Sequence, residues 1–261
     1  MIKSLYIVKL GGSSITDKNT PYKARKNVIQ NLAQEIKKSG AKNGLIIAHG
    51  SGSFGHTSAT KFGGKKGYKS KIGIATVSAD AARINQIVTD IFVQEGLPVV
   101  SLSPMSMIIA KNGKLDSSFF RVIEEVLKQG LIPVVYGDVI WDKAWKSTIF
   151  SGEKTISEIV LFLMKNGYKV EKVIELSQTN GVYDSNGKTV EKIDSKNFNK
   201  IGFSFTKGDR MDVTGGMKHK VEVALDLAKK GVNTLIISGQ NSKDLGRALR
   251  EQKVKGTLIS L

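Results

Sequence analysis

The 261-residue sequence has no cysteine, few aromatic residues and no long apolar run, and each scarcity excludes a class of protein. Without cysteine there can be no disulfide framework, iron–sulfur cluster or thiolate zinc site, so the fold does not depend on an oxidising compartment. No apolar run approaches the roughly 18 residues that a membrane span requires. The opening segment MIKSLYIVKLGG is interrupted too early for a signal peptide. We therefore expect a cytoplasmic protein that does not span a membrane.

The chain is strongly basic, with 40 Lys and Arg against 23 Asp and Glu and a net charge of +17. Such an excess favours an anionic substrate or a polyanionic partner. Nucleic acid would be one such partner. However, the lysines are scattered, no aromatic ribonucleoprotein motif is present, and aromatic residues make up only 7% of the chain. We therefore expect no nucleic acid partner and assign most lysines to a solvated surface.

Short apolar segments alternate with stretches of helical periodicity along the chain. Strands are predicted at 5–10, 44–48, 97–102, 131–136, 170–176, 234–238 and 257–261. Helices are predicted at about 28–39, 72–92, 118–129, 154–165 and 216–230, with an antiparallel excursion at 141–150. Because the strand interiors are apolar throughout, we expect an α/β fold, a three-layer αβα sandwich with a mostly parallel central sheet. Ligands of such sheets bind beyond the carboxyl ends of the strands, where the glycine-rich turns of this chain collect.

The first predicted strand ends in Lys9 and is followed by Gly11 and Gly12. Successive glycine N–H groups can point at one anion, and the lysine supplies the positive charge that a phosphate attracts. The chain contains no GxxxxGK[ST] motif and no GxGxxG turn with an acid about 20 residues later, which excludes a Walker A loop and the dinucleotide fingerprint. These residues predict phosphate chemistry by another class of phosphotransferase.

Four segments resemble one family when they are taken together and in order. They are KLGGSSITDK at 9–18, HGSGSFGH at 49–56, YGDV at 136–139 and DVTGGMKHK at 212–220. They resemble the isopentenyl phosphate kinases of the amino acid kinase superfamily. The resemblance implies an amino acid kinase-like fold, with an acceptor lobe at 1–168 and a nucleotide-binding lobe at 169–261. It also implies ATP and Mg²⁺ as cofactors, an isoprenoid monophosphate (isopentenyl phosphate) as acceptor, and a homodimer.

The resemblance further implies roles for individual residues. Glu158 is expected to face the nucleotide side and to orient Lys9 or Lys220. The implied catalytic residues are Lys9, Lys18, His56 and Lys220. The implied nucleotide-binding residues are Lys9, Gly11, Gly12, Ser13, Gly52, Glu158, Gly216 and Lys220. The implied acceptor-binding residues are Ser51, His56 and Gly137, and no residue is predicted as a metal ligand.

The segment that follows the second strand favours an anionic acceptor independently of the resemblance. Between Gly50 and Lys71 there is no Asp or Glu. Transfer to an alcohol usually benefits from a carboxylate base, whereas a phosphate oxygen is already anionic and needs mainly neutralisation and alignment. The missing base therefore fits a phosphate acceptor better than a hydroxyl.

Two segments depart from the family pattern. Where the family usually has SGDD and TDVDG, this chain has SGEK at 151–154 and SQTNG at 177–181. Mg²⁺ would then be held largely by ATP oxygens and water, since it readily keeps water ligands. The missing aspartates leave open a nucleotide-binding relative without turnover. Fosfomycin kinases of the same fold also resemble this pattern, including the glycine-histidine after the second strand, so a phosphonate kinase is a second alternative.

Overall fold

The structure is a computed structural model that describes residues 4–41, 44–63, 67–68, 70–201 and 216–261. The strands are β1 Ser4–Leu10, β2 Leu45–His49, β3 Val99–Ser101, β4 Ile108–Lys111, β5 Lys114–Ser118, β6 Ile132–Tyr136, β7 Asp138–Asp142, β8 Lys146–Phe150, β9 Lys169–Ser177, β10 Lys192–Ile193, β11 Thr234–Ser238 and β12 Gly256–Ile259. The helices are α1 Gly12–Ile15, α2 Lys26–Ser39, α3 Gly52–Phe62, α4 Lys71–Gln94, α5 Pro104–Met107, α6 Arg121–Lys128, α7 Gly152–Lys165, α8 Gly216–Ala228 and α9 Ser242–Leu249. Phe198–Lys200 forms a 3₁₀ turn.

A central sheet runs in the order β10-β12-β11-β9-β1-β2-β6-β3. All of its neighbouring strands are parallel except β11 and β12, which pair antiparallel. A smaller sheet, β5-β4-β7-β8, covers part of one side. The Asn112-Gly113 turn that joins β4 to β5 has positive φ at both residues, as a tight hairpin requires.

Both faces of the central sheet are buried, which explains the continuous apolar strands. On one face, α2, α4 and α9 pack on residues such as Val8 and Leu10. On the other face, α6 and α7 pack on alternate residues such as Ile7 and Val173. Successive strand residues point to opposite faces, so both sets must be apolar. The predicted three-layer α/β sandwich is confirmed.

The predicted division into lobes at 1–168 and 169–261 stays a prediction. Its boundary coincides with the start of β9, and β9 pairs with β1 along the whole of β1, so the central sheet continues across it. Four described helices were not predicted from the sequence: the four-residue α1 and α5, and the longer α3 and α9. No helix within the described residues has both the length and the apolar character needed to cross a membrane.

Candidate active site

The glycine turns meet at the carboxyl edge of the central sheet because each is hydrogen-bonded to the end of a neighbouring strand. Gly11 N donates to Leu176 O at 3.0 Å, Gly50 N to Leu10 O at 3.1 Å, and Gly137 N to His49 O at 3.0 Å. These bonds continue the parallel ladder for one residue beyond each strand. The structure therefore brings the turns after β1, β2 and β6 to the same edge, as expected.

The turn after β1 packs directly against the amino end of α3. A Cβ on Gly12 would lie 2.6 Å from Gly52 N, a distance that real Cβ atoms do not adopt. Gly52 has φ of +51°, and Thr16 fixes the junction: its hydroxyl donates to Gly12 O at 2.7 Å and accepts from Ser53 N at 2.9 Å. The predicted nucleotide turn and the predicted acceptor helix are thus one packed unit.

Lys9 is buried at this edge and contacts two glutamates. Its Nζ donates a hydrogen bond to Glu153 Oε1 and lies 3.8 Å from Glu175 Oε2. The lysine side chain is 3% exposed and each glutamate side chain 7%. Gly152 makes room for the lysine, because a Cβ there would lie 3.2 Å from Lys9 Cε. These residues form a buried ion cluster next to the glycine turns.

The two glutamates of the cluster are in different electrostatic situations. Burial opposes the charge of Glu153, but the positive charges of Lys9 and Lys220 outweigh it and lower the pKa of Glu153 to about 2. Glu153 also lies in the first turn of α7, where the helix dipole favours an anion. Burial raises the pKa of Glu175 above its ordinary value, against the opposing charge of Lys9. Glu153 is therefore the firmly ionised partner.

Lys220 belongs to the same cluster although it comes from a distant part of the chain. It lies on α8, which packs against α7, and its charge acts on both Glu153 and Glu175. Gly216 begins α8 with φ of +63° and is buried. The preceding residues of the predicted motif, 212–215, lie outside the described residues. The structure thus brings Lys9 and Lys220 together.

The predicted acceptor residues lie at the start of α3 and in the turn after β6. Ser51 is the N-cap residue of α3 but makes no capping hydrogen bond with its side chain. His56 is half-buried one helical turn after Gly52, so Gly52 and His56 share a face of α3. Gly137 packs against α7, since a Cβ on it would lie 3.0 Å from Gly152 N. The face of α3 that meets the nucleotide turn is therefore the one that carries His56.

Asp138, which sequence reasoning passed over, lies next to Gly137 and is buried. Its carboxylate accepts hydrogen bonds from Val139 N at 2.7 Å and from the Ser78 hydroxyl at 3.3 Å. Burial raises the pKa of Asp138 to about 7. Only its place in the YGDV segment could have drawn attention to it.

Three predicted residues occupy less central positions. Lys18 is exposed on the loop after α1, and its side chain forms no ion pair with any described residue. Ser13 is half-buried, and its carbonyl accepts a hydrogen bond from Gln178 Nε2 at 2.8 Å. Glu158 is half-buried, and burial raises its pKa while Lys154 lowers it. Lys9 contacts Glu153 and Glu175, and the expected role of Glu158 in orienting Lys9 or Lys220 stays a prediction.

Comparison with known proteins identifies the family of the chain. The model of the amino acid kinase family matches residues 4–238. The chain belongs to the amino acid kinase family. Within this family, it is 33% identical to isopentenyl phosphate kinase of Methanothermobacter thermautotrophicus, covering 98% of this chain and 99% of that protein. It is 31% identical to the isopentenyl phosphate kinase of Methanocaldococcus jannaschii, covering 98% of each.

A solved structure of an isopentenyl phosphate kinase has the same fold as this amino acid kinase. It superimposes with a TM-score of 0.82 at 29% identity, covering 98% of this chain and all of that one. The chain is also 25% identical to an acetylglutamate kinase of Campylobacter curvus, covering 98% of this chain and 91% of that protein. Family and fold are thus established over nearly the whole chain.

Proposed function

We propose that the protein transfers the γ-phosphoryl group of ATP to the phosphate of isopentenyl phosphate, giving isopentenyl diphosphate and ADP. The observation that carries this proposal is the direct packing of the turn after β1 on the amino end of α3. It joins the buried cations, on which a triphosphate could be held, to the helix that carries His56. The full-length similarity to isopentenyl phosphate kinases supports the identity of the acceptor.

The chemistry required of the protein is alignment and charge neutralisation. Lys9 and Lys220 would hold the phosphates of ATP, and Gly12 would offer its backbone N–H group. The N–H group of Gly11 already donates to Leu176 O, so Gly11 would contribute the close approach of the turn. His56 would hydrogen-bond the acceptor phosphate. Lys18, on its exposed loop, would move towards the transferred phosphoryl group and stabilise its negative charge. The transfer is direct and in line, because an anionic phosphate oxygen needs no general base and no covalent intermediate. Glu153 would keep Lys9 charged and in place.

Magnesium would enter as part of MgATP. Within the described residues no group of three or more His, Cys, Asp or Glu side chains could hold a metal ion. The carboxylates nearest the cations, Glu153 and Glu175, already engage Lys9. Phosphate oxygens and water would hold Mg²⁺, since it readily keeps water ligands. The homodimer and the cytoplasmic location belong to this proposal as expectations drawn from the family resemblance and the sequence.

The test is product analysis with the complete chain. Incubation with MgATP and isopentenyl phosphate should give the paired resonances of a diphosphate ester in ³¹P NMR, together with stoichiometric ADP. Dimethylallyl phosphate and fosfomycin serve as parallel acceptors. Transfer to fosfomycin alone would establish the phosphonate kinase instead, and nucleotide binding without transfer to any acceptor would establish the non-catalytic relative.

The variant His56→Ala tests the acceptor side separately. Removal of one preorganised hydrogen-bond donor should lower kcat by about 10²- to 10³-fold, while calorimetry should show unchanged affinity for a non-hydrolysable ATP analogue. His219→Ala, on α8, is the matched histidine control and should keep the wild-type rate. An unchanged rate for His56→Ala would remove His56 from the mechanism.

A further inference from the structure

Glu175 is a charged residue in the middle of an apolar sheet. Strand register places it directly beside Lys9 of β1 on one side and Ile236 of β11 on the other. Residues in register on neighbouring parallel strands point to the same face, so Glu175 and Lys9 emerge together among the apolar residues of that face. Burial of a carboxylate is costly unless it is paired and hydrogen-bonded. Its position requires an explanation beyond packing.

The charged groups around Glu175 come from three elements. They are Lys9 on β1, Glu153 on α7 and Lys220 on α8, while Ile236 on β11 is apolar. With both glutamates ionised, these four side chains carry no net charge. A cluster without net charge offers little attraction to a triphosphate, so binding favours a state in which one carboxylate has become neutral.

The geometry shows which carboxylate can become neutral at the lower cost. Glu153 accepts a hydrogen bond from Lys9 and lies at the positive end of a helix. Glu175 Oε2 is buried, lies 3.8 Å from Lys9 Nζ, and accepts no hydrogen bond from any described residue. Protonation of Glu175 therefore breaks no hydrogen bond of that oxygen, whereas protonation of Glu153 would disrupt the main contact of Lys9.

We propose that Glu175 is a positioning residue that holds Lys9 in the apo protein and takes up a proton from solvent when the nucleotide triphosphate binds. The incoming anion draws Lys9 towards its own oxygens and disfavours a second negative charge beside them. Proton uptake leaves Glu175 neutral and the cluster with a net charge of +1. Burial raises the pKa of Glu175, which favours proton uptake by this carboxylate. The inference rests on the proposed function only in requiring nucleotide to bind at Lys9.

The experiment is calorimetry of MgAMP-PNP binding at pH 8 in buffers with different ionisation enthalpies. The dependence of the observed enthalpy on the buffer gives the number of protons taken up. Protonation linked to the nucleotide itself is the same for every variant and cancels in the comparison. The wild type should take up about 0.5 to 1 proton more than Glu175→Gln, and its affinity should fall with pH by up to about tenfold per unit more steeply than that of the variant.

Controls separate this role from a merely structural one. Glu171→Gln changes a glutamate near the start of the same strand that is paired with Ser4 and Lys169, and it should keep the wild-type proton uptake. If Glu175→Gln does not fold, Glu175→Met provides an apolar replacement in the same buried strand. Equal proton uptake in wild type and variant overturns the role of Glu175 but leaves the proposed function standing. Absence of nucleotide binding to the wild type overturns both.

Discussion

Replacement of Lys9 by Met tests whether the buried ion cluster is organised as described. Methionine fills a similar volume but removes a cation that contacts both Glu153 and Glu175. Each glutamate side chain is 7% exposed, so neither can recover its hydration without local unfolding. Both carboxylates would remain buried, with one oxygen of each within roughly 7 Å of the other because both contact the same nitrogen.

The expected loss of stability follows from these distances. Two charges roughly 7 Å apart at an effective dielectric constant of about 20 repel by about 2 kcal/mol. Removing one partner of a buried ion pair costs about 3 to 5 kcal/mol, a large share of the free energy of unfolding of a typical protein, about 5 to 15 kcal/mol. Without the charge of Lys9, the pKa values of the two glutamates should rise. The loss of stability should therefore be small near pH 5, where the carboxyl groups can stay protonated, and should grow as pH rises towards 8. For each carboxylate, the growth is up to about 1.4 kcal/mol per pH unit.

Urea unfolding followed by circular dichroism at pH 5 and pH 8 measures this difference. Lys9→Met should lose about 3 to 5 kcal/mol at pH 8 and much less at pH 5, and Lys9→Met/Glu153→Gln should recover part of the loss at pH 8 without recovering activity. Lys172→Met is the matched control: its partner Glu251 is half-exposed, so removal should cost less than about 1 kcal/mol. A loss that is equal at both pH values would refute the buried cluster.

Two further predictions concern the glycine contact and the buried aspartate. Gly12→Ala forces a Cβ to within 2.6 Å of Gly52 N and should lower nucleotide affinity and turnover. The control is Gly130→Ala, where φ is +71° but a Cβ would meet no atom within 4 Å; it should lower the free energy of unfolding by about 1 kcal/mol and leave turnover unchanged. Equal activity of the two variants would contradict the close packing. Burial raises the pKa of Asp138 to about 7, so the wild type should lose stability relative to Asp138→Asn as pH rises from 4 to 7, by up to about 1.4 kcal/mol per pH unit. A difference in urea midpoint between variant and wild type that is the same at pH 5 and pH 8 would count against this prediction.

Periodicity located most of the central sheet and its covering helices because their apolar patterns are unambiguous. The helix α3 was missed because GSGSFGHTSATKF has weak helix propensity and begins with glycine and serine. It is helical because Gly52 packs on Gly12 and because Thr16 accepts a hydrogen bond from Ser53 N. Propensity cannot report such a tertiary contact.

The helix α9 was missed for a related reason. It is eight residues long and contains Gly246, which lowers helix propensity. It is stabilised by packing against α2, with Leu245, Ala248 and Leu249 buried in the same core as the apolar residues of α2. Local propensity does not report such packing, and only the folded chain shows it.

The approach of Lys9 and Lys220 was predictable from the sequence, but the acids around them were not, and Lys18 lies exposed on its loop. The approach of the two lysines depends on the packing of α8 against α7. The contact of Glu175 with Lys9 depends on the register of β9 on β1, which no local pattern contains. The one available signal was a glutamate inside the apolar run VIELS, at Glu175, and its meaning is clear only once Lys9 is placed beside it.

The placement of the acids explains how a site for two anions can contain carboxylates at all. Glu153 and Glu175 both contact Lys9, so a buried positive charge lies beside each carboxylate. On the acceptor side, the chain from Gly50 to Lys71 carries no acid, and Asp138 is buried with a pKa raised to about 7. With Glu175 protonated, as proposed above, each phosphate would meet a cluster of net positive charge, backbone N–H groups or a histidine, which is what transfer between two mutually repelling anions requires.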